Sequence, residues 1–190
     1  SLEVAQQVHE IKKDAKRILS GMSKIIDIDA HGQIMRFSDL VALVIKSNEK
    51  IIQNQGKNIK FIATIKDDPT TPHVSAVLNI LNNLISNSID AIPKEGFVEI
   101  IVARHKDTIT LAVIDNGTGI HPQDLQYIFR PGFTTKYNHL GQASTGIGLS
   151  HVKAIVEQLH GTIEVSTLDN TCFKVFLPNS ILGDNHDEQV

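Results

Sequence analysis

The order of the periodic segments constrains this chain more than any single motif does. "FVEIIVAR" and "TITLAVID" read as strands and follow one another directly, joined by a short polar turn around "HKDT". A segment of helical period, from about His73 to Ile92, precedes them, and "GIGLSHVKAIVEQLH" follows them as a second. "GTIEVST" and "CFKVFLP" then read as a closing hairpin. Strands and helices are mixed but do not strictly alternate. This argues for an α/β sandwich, with a mixed sheet packed on helices, rather than a doubly wound sheet. With 190 residues and 41% hydrophobic content, the chain can bury one good core.

Upstream, Val4, Val8, Ile11, Ala15, Ile18, Met22 and Ile25 are spaced alternately four and three apart. That heptad seam predicts an N-terminal helix that packs against another helix, because a lone helix cannot bury such a stripe. "SDLVALVIKSNEKIIQNQG" is a further amphipathic helix, with Ser38 as its expected N-cap and Gly56 as its stop. "DAHGQIMRF" includes a short strand, "NIKFIATI" is a strand and "DDPTTP" a loop. After Asp115 the sequence predicts a glycine-containing loop, a short helix to Phe129, and an irregular, mobile loop from Arg130 to Thr145. The expected division is a helix that packs on a partner over 1–28, one folded domain over 29–180 and a flexible tail over 181–190.

Composition narrows the function classes. A net charge of -3 with 21% charged residues gives no nucleic-acid or membrane-surface footprint. Aromatics at 5%, without tryptophan, argue against stacking platforms for single strands. Cys172 is the single cysteine, which excludes an internal disulfide and a cysteine zinc site. No apolar run approaches the roughly 20 residues that span a bilayer. The first residue is Ser1 rather than Met, so the chain reads as a piece of something longer, with any membrane or sensing part upstream.

Three segments carry candidate chemistry. In "NNLISNSIDA", Leu78, Leu81, Ile85, Ile89 and Ile92 form an apolar stripe, broadened by Ile80 and Leu84. Asn83, Asn87 and Asp90 lie on the opposite arc, with Asn87 at the boundary. That arc is either a solvated face or a set of oxygens able to hold a hard cation such as Mg²⁺. In "VIDNGTGI", Asp115 ends a strand and Gly117 and Gly119 follow; the stretch is an ordinary turn or a site where a carboxylate meets an exocyclic amine. It lacks the third glycine of a dinucleotide fingerprint, and the chain has no Walker motif. In "STGIGLSHVKAIV", Gly146 and Gly148 stand where loop becomes helix, either as a hinge or as a phosphate site at a positive helix end. Lys136 is a surface charge or a mobile phosphate contact, and Phe129 and Phe133 read as core anchors.

These blocks, in this order over roughly residues 33–178, resemble the ATP-binding domain of sensor histidine kinases, within the superfamily shared with gyrase, Hsp90 and MutL. The resemblance implies a Bergerat (GHKL) ATP-binding fold that uses ATP and Mg²⁺. It places Asn87 on Mg²⁺ with Asn83 in the same box, and Asp115 on the adenine amine with Gly117 and Gly119 shaping the pocket. Phe129 and Phe133 would brace a lid, while Lys136 and the backbone of Thr145, Gly146, Ile147, Gly148 and Leu149 would contact phosphates. Ser144 replaces a common glycine and implies a stiffer phosphate loop. "DNTCF" replaces a glycine-rich turn and is expected to affect a hairpin rather than the site.

Where the gyrase, Hsp90 and MutL branches typically carry a water-activating glutamate, this chain has Asn83. An amide is no general base, which disfavours efficient hydrolysis and leaves the γ-phosphate for another acceptor. "VHEIKKD" supplies His9 as the nucleophile, with Glu10 to orient or deprotonate it. A zinc HExxH reading fails at Lys13. "HEIKKD", "FRPGFTTKY" and "STGIGLS" are similar to a glutamine-sensing group of Bacillus-type kinases. The expected protein is a cytoplasmic kinase portion that autophosphorylates, donates to a response regulator aspartate and dimerises through its N-terminal helix. A slow ATPase or conformational clamp, and a regulatory nucleotide-binding module, are the alternatives.

Overall fold

Alternation along β4 (Glu95–Arg104) sorts its side chains between two faces. Val98, Ile100 and Val102 are fully buried, whereas Phe97, Glu99, Ile101 and Ala103 are part-exposed. The same division runs through β5 (Thr108–Asp115) and β7 (Thr171–Pro178), where Ile109, Leu111 and Val113 and then Phe173, Val175 and Leu177 turn inward. Together with β2 (Asn58–Ile65) and β6 (Thr162–Ser166) they form a five-stranded sheet in the order β2-β4-β5-β7-β6. The β2–β4 pair is parallel and the other pairs are antiparallel, so the sheet is mixed, as expected. This computed structural model describes residues 33–135 and 145–183. The N-terminal seam, His9, Glu10, Lys136, Ser144 and the tail after Gly183 lie outside the described residues.

Among the described residues three helices cover the inward face. α1 (Phe37–Asn54) packs on β2, α2 (Val74–Ala91) on β4 and β5, and α3 (Gly148–Gln158) on β6. The buried stripe of α2 is centred on Val77, Ile80, Leu81, Leu84, Ile85 and Ile89, each at most 1% exposed. Leu78, expected in the stripe, is only half-buried. The stripe is rotated because α2 meets α1 on one side and α3 on the other as well as the sheet below.

Two local expectations are corrected. Ser38 does not cap α1, which begins one residue earlier at Phe37 with Arg36 at the N-cap position. Instead the Ser38 N–H donates to Asp68 Oδ1 at 2.9 Å and its hydroxyl donates to Asp68 Oδ2 at 2.7 Å. A carboxylate from the loop before β3 (Thr70–Thr71), which pairs antiparallel with β1 (Met35–Arg36), therefore satisfies the start of α1 and meets its positive end. That loop places Asp67 and Asp68 at φ of 61° and 27°, a region that aspartate tolerates better than most residues. The second correction concerns residues 122–129, which form a run of turns rather than a helix. The Asp124 N–H bonds to the His121 carbonyl and the Tyr127 N–H to the Asp124 carbonyl, at 2.8 Å each.

The cap makes a prediction. Asp68→Ala should lower the unfolding free energy by about 1 kcal/mol in denaturant titration, the usual worth of a helix cap. Asp67→Gly should be neutral or stabilising, because it relieves a left-handed backbone at no contact cost.

Candidate functional site

The end of β5, the last turn of α2, the tip between β6 and β7 and the start of α3 enclose a cavity of about 980 Å³. Its floor is Asp115, 1% exposed. Burying a carboxylate is costly unless it is hydrogen-bonded, and here two elements supply donors. The Ser88 hydroxyl on α2 donates to Oδ2 at 2.8 Å, and the Gly117 N–H donates to Oδ1 at 2.9 Å. Both bonds favour the ionised, acceptor-only form of the carboxylate.

Directly across the β5–β7 ladder from Asp115 stands Thr171. It is 5% exposed and lines the cavity, and among the described residues its Oγ1 has no hydrogen-bond partner. A buried hydroxyl without a partner costs about 1–3 kcal/mol, so the fold holds an unsatisfied polar group beside an acceptor. That pair suits the edge of a planar ligand that both donates and accepts.

The last turn of α2 is fastened from several directions. A Cβ on Gly117 would lie 2.7 Å from the backbone of Ala91, so only glycine permits this approach. The Thr118 N–H donates to the Ala91 carbonyl at 2.9 Å, and Lys57 Nζ donates to the Ile89 carbonyl at 2.7 Å. Carbonyls that the helix end would leave orphaned are thereby satisfied. Gly119 is different: a Cβ there meets open space, and its φ of 78° is what calls for glycine.

At the other end of the cavity, Thr145, Gly146, Ile147, Gly148 and Leu149 contribute lining where α3 begins. Ile147 at its N-cap position offers no side-chain cap, so N–H groups of a positive helix end belong to cavity residues. Gly146 has φ of 60°, and a Cβ on it would lie 2.6 Å from backbone atoms of Gly132 and Phe133. The Gly132 N–H also donates to the Gly146 carbonyl at 3.1 Å. This backbone contact brings Phe133 and Thr134 beside Thr145 in the lining.

Asn87 and Asp90 line the cavity; Asn83 does not. The Asn83 amide donates to the Asn79 carbonyl at 2.8 Å, and its Oδ1 lies 3.1 Å from where a Gly148 Cβ would stand. Phe133 faces the cavity against Tyr127, whereas Phe129 lies outside the lining and meets Phe173 edge-on at 6.4 Å. Among the described residues no group of three or more His, Cys, Asp or Glu could hold a metal. The amide of Asn87 nevertheless suits a hard cation that takes most of its shell from waters and a ligand's phosphates, which is the habit of Mg²⁺. Cys172 lies outside the lining, and burial pushes its thiol up from the ordinary range, which disfavours the nucleophilic thiolate.

The tip between β6 and β7 does bear on the site. Thr167, Asp169, Asn170 and Thr171 all line the cavity, so "DNTCF" shapes it rather than a remote hairpin. Sequence reasoning missed Ser88 and Thr171. Each is a polar residue at a position whose period calls for an apolar one, and that was the available signal.

Residues 73–181 match the family described as histidine kinase-, DNA gyrase B-, and HSP90-like ATPase. The chain is 43% identical over 170 residues to the sensor histidine kinase GlnK of Bacillus subtilis, covering 89% of this chain and 41% of that protein. It is 29% identical over 187 residues to the sensor histidine kinase ZraS of Escherichia coli K12, covering 94% of this chain and 39% of that one. It thus spans well under half the length of both relatives. Among solved structures, the catalytic domain of histidine kinase ThkA superposes with a TM-score of 0.65 at 25% identity, over 77% of this chain and 94% of that one. The mycobacterial sensor histidine kinase MprB shares the fold, with a TM-score of 0.64 at 19% identity over 77% and 97%.

The two loop glycines should respond differently to substitution. Gly117→Ala forces the Ala91 backbone to move and should cost several kcal/mol in denaturant unfolding. Gly119→Ala adds only left-handed strain, about 1 kcal/mol. Equal losses would contradict the close approach at Ala91.

Proposed function

Because this chain belongs to the histidine kinase-, DNA gyrase B-, and HSP90-like ATPase family, we propose that it is the ATP-binding, phosphotransfer portion of a two-component sensor kinase. The observation that carries the reading is the cavity floor, where buried Asp115 lies opposite the Thr171 hydroxyl, which has no hydrogen-bond partner among the described residues. An adenine edge meets both needs: its exocyclic amine donates to Asp115, and its ring nitrogen accepts from Thr171. Asp169 and Asn170 flank that end of the pocket. The opposite end, at the start of α3, receives the phosphates, with Lys136 as a further cation.

Asn87 would hold Mg²⁺ there. The ion would supply neutralisation of charge on the terminal phosphates during transfer. Asn83 favours transfer over hydrolysis, since its amide is tied to the Asn79 carbonyl and has no basic lone pair to activate water. The acceptor is His9. Its imidazole nitrogen forms a bond to the γ-phosphorus, the bond from that phosphorus to the β–γ bridging oxygen breaks, and ADP leaves with the electron pair. Glu10 takes the imidazole proton. The phosphoryl group then passes to an aspartate of a response regulator. The heptad seam of the N-terminal helix supports a homodimer, and the kinase reading implies a cytoplasmic location. Among the described residues no helix is long and apolar enough to cross a membrane.

Incubation with γ-labelled ATP tests the transfer. The chain should acquire acid-labile label that His9→Gln abolishes; label that survives this change would place the acceptor elsewhere. Asn87→Ala should remove the Mg²⁺ dependence of ATP binding in calorimetric titration, with at least about a tenfold loss of affinity. Unchanged Mg²⁺-dependent binding would contradict its role as ligand.

A further inference from the structure

Ser88 occupies an inward position between Ile85 and Ile89, where the period of α2 calls for an aliphatic residue, and it is 1% exposed. Its hydroxyl donates to Asp115 Oδ2 at 2.8 Å. The other carboxylate oxygen accepts the Gly117 N–H. One donor therefore comes from α2 and one from the loop after β5, and together they fix the plane of the carboxylate. Both oxygens therefore act as acceptors in this arrangement. A carboxylate held in this state can only accept. It welcomes an amino group and opposes a carbonyl oxygen, which would bring lone pair against lone pair.

We propose that Ser88 is a positioning residue that acts through Asp115 to select 6-amino over 6-oxo purine nucleotides. The inference rests on the reading of this cavity as an adenine nucleotide site. An aliphatic side chain at 88 would leave Oδ2 without this donor and loosen the orientation in which the carboxylate meets an amino group. Ser75 provides a matched comparison: it is a second buried serine on α2, and among the described residues its Oγ has no hydrogen-bond partner.

The test is calorimetric titration of the full chain with Mg-ATP and with Mg-ITP, which differ at position 6 of the purine. The wild type should prefer ATP. Ser88→Ala should lower ATP affinity about tenfold and cut the ATP-to-ITP ratio by a similar factor, as expected for losing a hydrogen bond to a charged acceptor. Ser88→Cys, which nearly keeps the volume but is a weak donor, should also lower the ratio, and it serves if the alanine variant fails to fold. Ser75→Ala should leave the ratio at its wild-type value. A wild type that does not bind ATP, or binds both nucleotides equally, overturns the site reading and this inference with it. A wild type that discriminates, beside a Ser88→Ala or Ser88→Cys ratio within twofold of it, overturns the role of Ser88 alone.

Discussion

The structure turns on a carboxylate kept away from water. Asp115 ends β5 with almost no exposure, and an isolated charge there would cost more than a domain of this size can spare. Its bonds from Ser88 and Gly117 remove most of that cost, but only while the last turn of α2 and the loop after β5 hold their places. The need explains why so much converges on that turn. Gly117 admits the Ala91 backbone, Thr118 bonds to its carbonyl, and Lys57 reaches the Ile89 carbonyl from the turn before β2.

The two ends of the cavity differ in physical character, and the difference matches a nucleotide. The floor is buried and specific, with an acceptor and, on the adjacent strand, a hydroxyl that has no hydrogen-bond partner among the described residues. The far end is backbone: glycines and the first turn of α3, which offers N–H groups and a positive dipole rather than shaped side chains. Asn83 lies between the helices and not in the cavity, its oxygen facing Gly148. Its role is therefore consistent with packing α2 on α3 at close range, and a glutamate's chemistry is missing from that position.

Much of this was legible because the signals were local. The alternation in "FVEIIVAR" and "TITLAVID", the helical period of residues 74–91, and an aspartate followed by two glycines each depend on neighbours within a few residues. What was not legible is non-local. Ser38 looked like a cap, but the start of α1 is served by Asp68, thirty residues away in sequence. Ser88 and Thr171 acquire meaning only from the packing of α2 on β5 and from the β5–β7 register that sets Thr171 against Asp115. The same register carries the "DNTCF" tip to the cavity. The turns at 122–129 resemble a helix in composition, but their hydrogen bonds run mainly over three residues and do not propagate.

The most direct measurement is Mg-ATP binding by Asp115→Asn, paired with thermal unfolding of the nucleotide-free protein. The asparagine keeps shape and can still accept the Gly117 N–H, while the Ser88 hydroxyl can turn to accept from the new amide, so the fold should persist with a small change in Tm. The amide would present a donor to the purine's amino group, and ATP affinity should fall by at least about a hundredfold. Wild-type affinity in this variant, or a collapse of apo stability that matches the loss of binding, would contradict the claim that this buried carboxylate is held in place to read the base.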